Sequence, residues 1–255
     1  MAMASLLTLL PASLAAAAAG VVAYGAAYPQ SQLFGPTLRC TPSPRQLAIT
    51  FDDGPNPAIT PQLLDLLERH GARATFFVIG RFVRQCPDLL RETAARGHAI
   101  GNHSETHANL FWLSRARLRE ELTRCQEAIA EVLGAAPAVM RPPFGFRSPF
   151  LDGVARSAGI RDVVMWTTIP GDWWVQPPER LIRRMRGIAA RAEKAQRGAP
   201  ARSGGDVLCL HDGDARRLGG DRLHTLAALE YWLPRWRDQG LEFVTIGSAA
   251  GEGPR

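Results

Sequence analysis

The chain has 255 residues, 46% of them hydrophobic, which suits one domain with its own core and a short appendage. Its formal net charge is +6, and Lys194 is the only lysine, so nearly all of the positive charge is arginine. The arginines are spread over predicted helices and no nucleic-acid-binding motif is present, so we expect no nucleic-acid partner. Solvated helix faces account for such a pattern, and attraction to an anionic polymer or membrane surface stays open.

The N-terminal segment is uncharged and apolar. Residues 1–38 contain no charged side chain, and residues 3–28 are mostly Ala, Leu and Val. This length can span a bilayer, but the small residues near its end are also typical of a cleaved leader. Residues 1–28 are therefore predicted to be a signal peptide or an N-terminal membrane anchor, with a buried soluble helix as a third alternative. Both leading alternatives send the rest of the chain out of the cytoplasm.

The remainder divides into a linker, one domain and a tail. Residues 29–45 are rich in Pro and polar residues and are predicted to be a linker. Residues 46–248 form a single predicted domain, and residues 249–255 a C-terminal tail. Within the domain, residues 194–205 are predicted to form a surface loop.

Strand and helix patterns alternate along the domain. Strands are predicted at 46–51, 73–79, 97–101, 138–140, 161–166, 206–210 and 241–246. Helices are predicted at 60–70, 81–96, 114–134, 150–158, 178–195 and 221–238. Seven strands alternating with helices indicate an α/β fold with a mostly parallel sheet covered by helices. In such folds the reactive groups collect at the carboxyl ends of the strands.

Polar side chains with catalytic capability follow five of these strands. In chain order they are Asp52 and Asp53, His103 and His107, Arg141, Asp172 beside Trp173 and Trp174, and His211. Because the carboxyl ends of parallel strands meet at one end of the fold, we expect these groups to converge.

His103 and His107 are four residues apart, which on a helical turn would point both imidazoles the same way. This spacing alone also occurs by chance on surface helices. Asp53 is the candidate for a third, anionic ligand. Two His and one carboxylate with an open position form a common catalytic zinc set.

Five stretches resemble, in this order, the five motifs of the polysaccharide deacetylase family, also called the NodB homology domain or carbohydrate esterase family 4. They are TFDDGPNP, HSETH, RPPFG, DW and LCLHD. The resemblance covers residues 46–248 and implies a distorted (β/α) barrel of about seven parallel strands forming a single catalytic domain. It also implies the removal of N-acetyl or O-acetyl groups from sugars, usually with a divalent metal.

The resemblance implies a metal site and a base. Asp53, His103 and His107 would bind the metal, with Zn²⁺ expected first and Co²⁺, Ni²⁺ or Mn²⁺ as alternatives. Asp52 would be the general base that takes a proton from the attacking water, and Arg141 would hold Asp52 in place.

The resemblance also implies an acid and an oxyanion donor. His211 would protonate the leaving amine, while Asp172 would orient His211 and raise its pKa. The backbone N–H of Phe144 would help to bind the oxyanion. Trp173 and Trp174 could stack on a sugar ring, or at least one of them could belong to the core.

Two positions depart from the family pattern. Phe144 stands where many members have Tyr, which should preserve a main-chain role but not a hydroxyl contact. Cys209 stands where Leu commonly lines the pocket for the acetyl methyl group. Since Cys is smaller and still apolar, we expect it to line that pocket more loosely.

Together these features predict a metal-dependent enzyme that removes N-acetyl groups from an extracytoplasmic glycan such as peptidoglycan or a chitin-like polymer. An O-acetyl esterase acting on a polysaccharide such as xylan is the alternative. A catalytically silent glycan-binding domain is less favoured, because the base, the ligands and the acid are all present. We expect a monomer, with membrane association open through the N-terminal segment and a Cys40–Cys86 disulfide undecided.

Overall fold

The computed structural model describes residues 2–197 and 204–247, with side chains from residue 13 onward. The predicted tail 249–255 and half of the predicted loop 194–205, namely residues 198–203, lie outside the described residues.

Seven strands form one parallel sheet. They are β1 Gln46–Gly54, β2 Ala74–Val78, β3 Ala99–Asn102, β4 Val139–Met140, β5 Asp162–Val163, β6 Asp206–His211 and β7 Glu242–Phe243. The order is β5-β4-β3-β2-β1-β6, with β7 paired to the start of β1, and every pairing is parallel. Every residue of β1 after the first is buried, as expected of a central strand covered on both faces. The predicted α/β fold of seven parallel strands is confirmed.

The sheet curls until its two ends approach. Beyond β5 the chain continues to Thr168, which pairs in parallel with Leu208 of β6, and the Cys209 N–H donates to the Thr168 carbonyl at 2.9 Å. Residues from the predicted linker lie along this seam, where Leu38 pairs with Val164 and Thr41 with Gly205. The result is a distorted barrel rather than an open sheet.

Eight α-helices are described. They are α1 Ala2–Ala27, α2 Thr60–Arg69, α3 Gly80–Gln85, α4 Pro87–Ala95, α5 Arg115–Leu133, α6 Leu151–Ser157, α7 Pro178–Gln196 and α8 Leu223–Asp238. The prediction of one helix over 81–96 is wrong, because α3 and α4 are separate. Cys86 leaves the helical region (φ −132°) immediately before Pro87, which begins α4. Proline restricts the residue before it and cannot continue the helical hydrogen bonding.

The end of α1 is joined to the barrel by Arg147. Its guanidinium is buried and donates to the carbonyls of Tyr28 at 2.6 Å and Ser31 at 2.7 Å, while its backbone N–H donates to Ala26. Among the helices searched, which exclude the undescribed residues, none is long and apolar enough to cross a membrane. Cys40 and Cys86 are both free thiols.

Alternation along the central strands separates the helix-facing core from the barrel interior. In β1, Leu47, Ile49 and Phe51 join the large core under the helices. Ala48 belongs to a separate interior cluster, and Thr50 and Asp52 follow it at the same two-residue period. In the neighbouring strand β6 the corresponding set is Val207, Cys209 and His211. The register pairs Thr50 with Cys209 and Asp52 with His211. The polar groups of both strands therefore lie together inside the barrel, at its carboxyl end.

Candidate active site

Asp52 and Arg141 form a buried ion pair at the carboxyl end of the barrel. Arg141 Nη1 lies 2.8 Å from Asp52 Oδ1 and 2.6 Å from the Thr50 hydroxyl, and Arg141 is fully buried. The guanidinium packs over the Phe77 ring and donates to the Val164 carbonyl. Several of the guanidinium's donors are thereby used, so the Asp52 carboxylate is held in one orientation.

Asp53 reaches the same pocket because the strand bulges. The pairing of β1 with β2 matches Asp52 to Phe77 and then Gly54 to Val78, which leaves Asp53 as the extra residue. Along a regular strand, the Asp53 side chain would point to the opposite face of the sheet from Asp52. Asp53 instead has a left-handed backbone (φ +74°), which lets its side chain enter the same pocket. Gly54 is required here, since a Cβ at that position would collide with the Asp212 carboxylate.

His103 and His107 lie on an irregular loop, so the predicted helical turn is wrong. Ser104 (φ +66°) and His107 (φ +63°) both adopt left-handed backbone, which folds the loop until the ring centroids are 5.0 Å apart. His103 Nδ1 lies 2.7 Å from the Arg141 carbonyl. Because a carbonyl only accepts, Nδ1 carries a proton, and Nε2 is the ring nitrogen that faces Asp53.

Asp53, His103 and His107 present three acceptors to one point. Their nearest ligand atoms lie within 4.8 Å of one another. Asp53 Oδ1 is 3.5 Å from His103 Nε2 and 3.2 Å from His107 Nε2, yet this buried oxygen has no hydrogen-bond donor among the described residues. A buried carboxylate oxygen facing imidazole nitrogens is an arrangement that a divalent cation would satisfy. The donor set therefore fits a metal such as Zn²⁺.

The pKa shifts of Asp53 and His107 are those expected of metal ligands. Burial raises the pKa of Asp53, but the neighbouring imidazoles outweigh it and hold the pKa well below its usual range. Burial lowers the pKa of His107 to about 4, against the opposing influence of Asp53. At neutral pH the set is thus one carboxylate with a neutral His107, the protonation that metal ligands need.

Asp52, Cys209 and His211 are also close enough to form a ligand group. Their environment disfavours a second cation, because Asp52 is already paired with the Arg141 guanidinium. Cys209 is buried, and burial raises the pKa of its thiol well above the ordinary value. Its Sγ lies 3.4 Å from Asp52 Oδ2, so the protonated thiol donates to this carboxylate.

His211 and Asp172 form a second charged pair. His211 Nδ1 lies 2.8 Å from Asp172 Oδ1, and the His211 backbone N–H donates to Oδ2 at 2.9 Å. Burial lowers the pKa of His211, but the Asp172 charge and hydrogen bond, together with Asp53 and Asp52, raise it to about 9. His211 is therefore protonated at neutral pH.

Aromatic side chains flank the two charged pairs. The Phe144 ring packs edge-on against His107 with centroids 4.5 Å apart, and Trp173 packs against His211 at 5.9 Å. Phe144 is 61% exposed and Trp173 and Trp174 are 45% exposed, so neither tryptophan belongs to the core. Phe144 has φ +58°, and its N–H makes no hydrogen bond within the described part of the chain.

Sequence reasoning missed the residues that brace these groups. Thr225 donates from its hydroxyl to Asp172 Oδ2 at 2.8 Å, and His224 Nε2 lies 2.8 Å from the Asp172 carbonyl. Thr50 supports Arg141 as an acceptor: its hydroxyl oxygen accepts from Arg141 Nη1 at 2.6 Å, while the hydroxyl itself donates to the Leu208 carbonyl at 2.7 Å. Thr50 could have been predicted from the two-residue period of β1, which puts it on the same face of the strand as Asp52. No sequence feature near Thr225 indicates its contact with Asp172.

Asp212 joins the first and last motifs. Its N–H donates to the Asp52 carbonyl at 3.2 Å, and its own carbonyl accepts from Asn56 at 2.7 Å. Its buried carboxylate accepts from the Thr60 hydroxyl, and burial raises its pKa to about 7. The turn that carries Asp53 is therefore held from β6.

The protein is therefore an α/β barrel whose carboxyl end holds a carboxylate–imidazole set, a buried Asp–Arg pair and a protonated His. The sequence profile described as "Polysaccharide deacetylase" matches residues 39–163. Together with the relatives described next, this shows that the chain belongs to the polysaccharide deacetylase family, carbohydrate esterase family 4, and is a polysaccharide deacetylase.

Two named relatives and one solved structure illustrate the similarity. A peptidoglycan-N-acetylglucosamine deacetylase of Bacillus cereus is 35% identical over 201 residues, 78% of this chain and 85% of the relative. A chitooligosaccharide deacetylase of Azorhizobium caulinodans is 33% identical over 218 residues, 82% of this chain and 96% of the relative. The crystal structure of a peptidoglycan N-acetylglucosamine deacetylase superposes with a TM-score of 0.70 at 27% identity, covering 84% of this chain and 91% of the other.

Proposed function

We propose that this protein is a metal-dependent enzyme that hydrolyses N-acetyl groups of an extracytoplasmic glycan, either peptidoglycan or a chitin-like polymer. One observation carries the proposal. The orphaned Asp53 oxygen and two imidazoles lie beside a buried Asp52–Arg141 pair and a protonated His211. Amide hydrolysis needs these functions together: an activated nucleophile, a base and an acid. The relatives named above, which act on peptidoglycan and on chitooligosaccharides, support the choice of substrate class.

Asp53, His103 and His107 would hold the divalent metal, with Zn²⁺ expected first and Co²⁺, Ni²⁺ or Mn²⁺ as alternatives. When bound, the metal would supply Lewis acidity that makes water nucleophilic near neutral pH.

Asp52 accepts the proton of the attacking water. Arg141 pairs with one oxygen of its carboxylate, and the Cys209 thiol donates to the other, so the group is held in one orientation. Asp52 is next to Asp53 in sequence, but Asp52 pairs with the Arg141 guanidinium, whereas Asp53 would pair with the metal. The two neighbouring acids therefore perform different tasks.

His211 delivers a proton to the leaving amine. The charged Asp172 keeps the imidazole protonated at neutral pH and fixes Nδ1 as the inner nitrogen, which leaves Nε2–H for the substrate. The Phe144 N–H is free to donate to the oxyanion, and its ring with Trp173 flanks the opening of the site. Trp174 would extend this aromatic surface, and the buried Cys209 beside Asp52 would line the pocket for the acetyl methyl group.

We also propose an extracytoplasmic location. The uncharged residues 1–38 and the similarity to peptidoglycan deacetylases, whose substrate is a cell-wall polymer, support it. The choice between a signal peptide and a membrane anchor for residues 1–28 depends on the mature N-terminus, which mass spectrometry of the secreted or membrane fraction would give. A monomer is proposed, and sedimentation of the purified protein tests it.

A substrate panel tests the function. The purified protein, with its metal content measured on the same sample, is incubated with chitooligosaccharides, peptidoglycan and acetylated xylan, and acetate release is followed. The proposal predicts acetate from an N-acetylated glycan and much less from xylan. Release from xylan alone would replace it with an O-acetyl esterase. Saturable glycan binding without turnover, after Zn²⁺, Co²⁺ or Mn²⁺ is added, would indicate a silent binding domain.

A further inference from the structure

Glu121 on α5 is a buried carboxylate without a cation. It is 6% exposed, and none of the ion pairs formed among residues 2–197 and 204–247 includes it. Its neighbour Glu120, by contrast, is on the surface and pairs with Arg117 and Arg124. Burying a charge without a counter-charge is unfavourable unless hydrogen bonds compensate. The hydrogen-bond partners of Glu121 therefore indicate what its burial achieves.

Both oxygens of Glu121 accept from a single residue of the loop that carries the two histidines. Thr106 donates its backbone N–H to Oε2 at 2.9 Å and its hydroxyl to Oε1 at 2.8 Å. Thr106 immediately precedes His107, whose Nε2 lies 3.2 Å from Asp53. The two bonds hold Thr106, the residue directly before His107, by both its backbone and its side chain.

The loop needs this external support. Ser104 and His107 have left-handed backbone without being glycine, a conformation that the surrounding structure must impose. The N-terminal end of α3 holds one side of the loop, where the Gly80 and Arg81 N–H groups donate to the carbonyls of Ser104 and Glu105. Glu121 holds the side next to His107.

The same helix also fixes the start of the loop. Asn102 donates to the Leu122 carbonyl at 2.9 Å and to Gln126 at 3.1 Å, and its own oxygen accepts the Ser104 N–H at 2.7 Å. α5 thus contacts the loop both before His103 and before His107. Its apolar residues Leu118 and Leu122 are fully buried, so the helix is a rigid support.

We propose that Glu121 is a positioning residue for the metal-binding loop: through Thr106 it holds His107 at the distance from Asp53 that a divalent cation requires. This inference rests on the proposed metal-dependent function. Outer groups that orient metal ligands typically contribute about 10- to 100-fold to metal affinity.

The test is a Zn²⁺ titration of the metal-free protein against a chromophoric chelator. Glu121→Leu removes both acceptors and is expected to raise the Zn²⁺ dissociation constant about 10- to 100-fold. Glu121→Gln is expected to recover most of the affinity, since its amide oxygen accepts the Thr106 N–H and its amide N–H donates to the hydroxyl. Glu120→Gln, the matched surface control, should leave the constant unchanged. Saturating Zn²⁺ should restore kcat in Glu121→Leu, with KM for the glycan unchanged.

A folded Glu121→Leu protein that binds Zn²⁺ as the wild type does would overturn the inference, as would an equal loss in Glu120→Gln. If Glu121→Leu does not fold, Thr106→Val and Thr106→Ser decide. The valine variant loses one hydrogen bond and should weaken binding about 2- to 10-fold relative to the serine variant. Equal affinities in the two variants would refute the role. Wild-type protein that binds Zn²⁺ but releases no acetate would reject the proposed function and leave this inference standing.

Discussion

Replacing Asp172 with asparagine should move the alkaline limit of activity to lower pH. Asp172 is fully buried and touches His211 through both carboxylate oxygens. Its charge and hydrogen bond are the main influences that raise the pKa of His211 to about 9 against the lowering effect of burial. Asparagine keeps the size and one acceptor but removes the charge.

The size of the effect follows from the protonated fraction of His211. With a pKa of about 9, nearly all of the imidazole is protonated at about pH 7.5. Without the Asp172 charge, burial would lower the pKa, and only the smaller influences of Asp53 and Asp52 would oppose it. At the ordinary pKa of about 6.5, roughly a tenth of the imidazole would be protonated at that pH, so we expect a fall in kcat/KM of up to about 10-fold at about pH 7.5, shrinking as the pH is lowered.

The assay is a profile of kcat/KM against pH, measured by acetate release from a chitooligosaccharide. Thr225→Val provides a graded comparison, because it removes only the hydroxyl bond to Asp172 and should shift the alkaline limb less. Thermal unfolding and metal content are measured on each variant to exclude loss of fold or metal. An unmoved alkaline limb in Asp172→Asn would refute the assignment of His211 as an acid tuned by Asp172.

Two further predictions concern the base and the aromatic surface. Arg141→Met leaves the Asp52 carboxylate buried without its cation. The free energy of unfolding, measured by urea titration, should therefore fall by about 3–5 kcal/mol. A smaller fall would mean that the ion pair is not buried as described. Trp173→Ala should raise KM for a chitooligosaccharide by roughly 3- to 10-fold while kcat changes little, because a stacking surface is lost but the reacting groups stay. A fall in kcat alone would instead assign Trp173 to the support of His211.

Much of the fold follows from local patterns. The buried run that ends at Asp52, and the alternation of strand and helix periods after it, were sufficient to predict seven parallel strands. The one helix predicted as continuous was interrupted at Pro87, whose effect on Cys86 is also local. The closure of the barrel could not be predicted from local patterns, because it depends on single backbone pairs such as Thr168 with Leu208, which lie far apart in sequence.

The sequence was sufficient to predict that the residues of the candidate site lie close together, but not the geometry in which they do so. Charged residues at strand ends converge in any parallel barrel, which is why Asp52, Arg141 and His211 could be grouped. The left-handed backbone at Asp53 and His107 could not be predicted, because neither residue prefers it and the surrounding contacts impose it. Supporting residues such as Thr225 were missed since a buried hydroxyl carries no signal until its partner is known.

The division of labour between Asp52 and Asp53 is the central claim, and metal content measured beside turnover tests it most directly. Asp52→Ala and Asp53→Ala are purified with the wild type, loaded with Zn²⁺ and freed of excess, and then assayed for bound metal and acetate release. The account predicts that Asp52→Ala keeps its metal and loses turnover, whereas Asp53→Ala loses metal affinity. Full activity in Asp52→Ala, or wild-type metal content in Asp53→Ala, would contradict it.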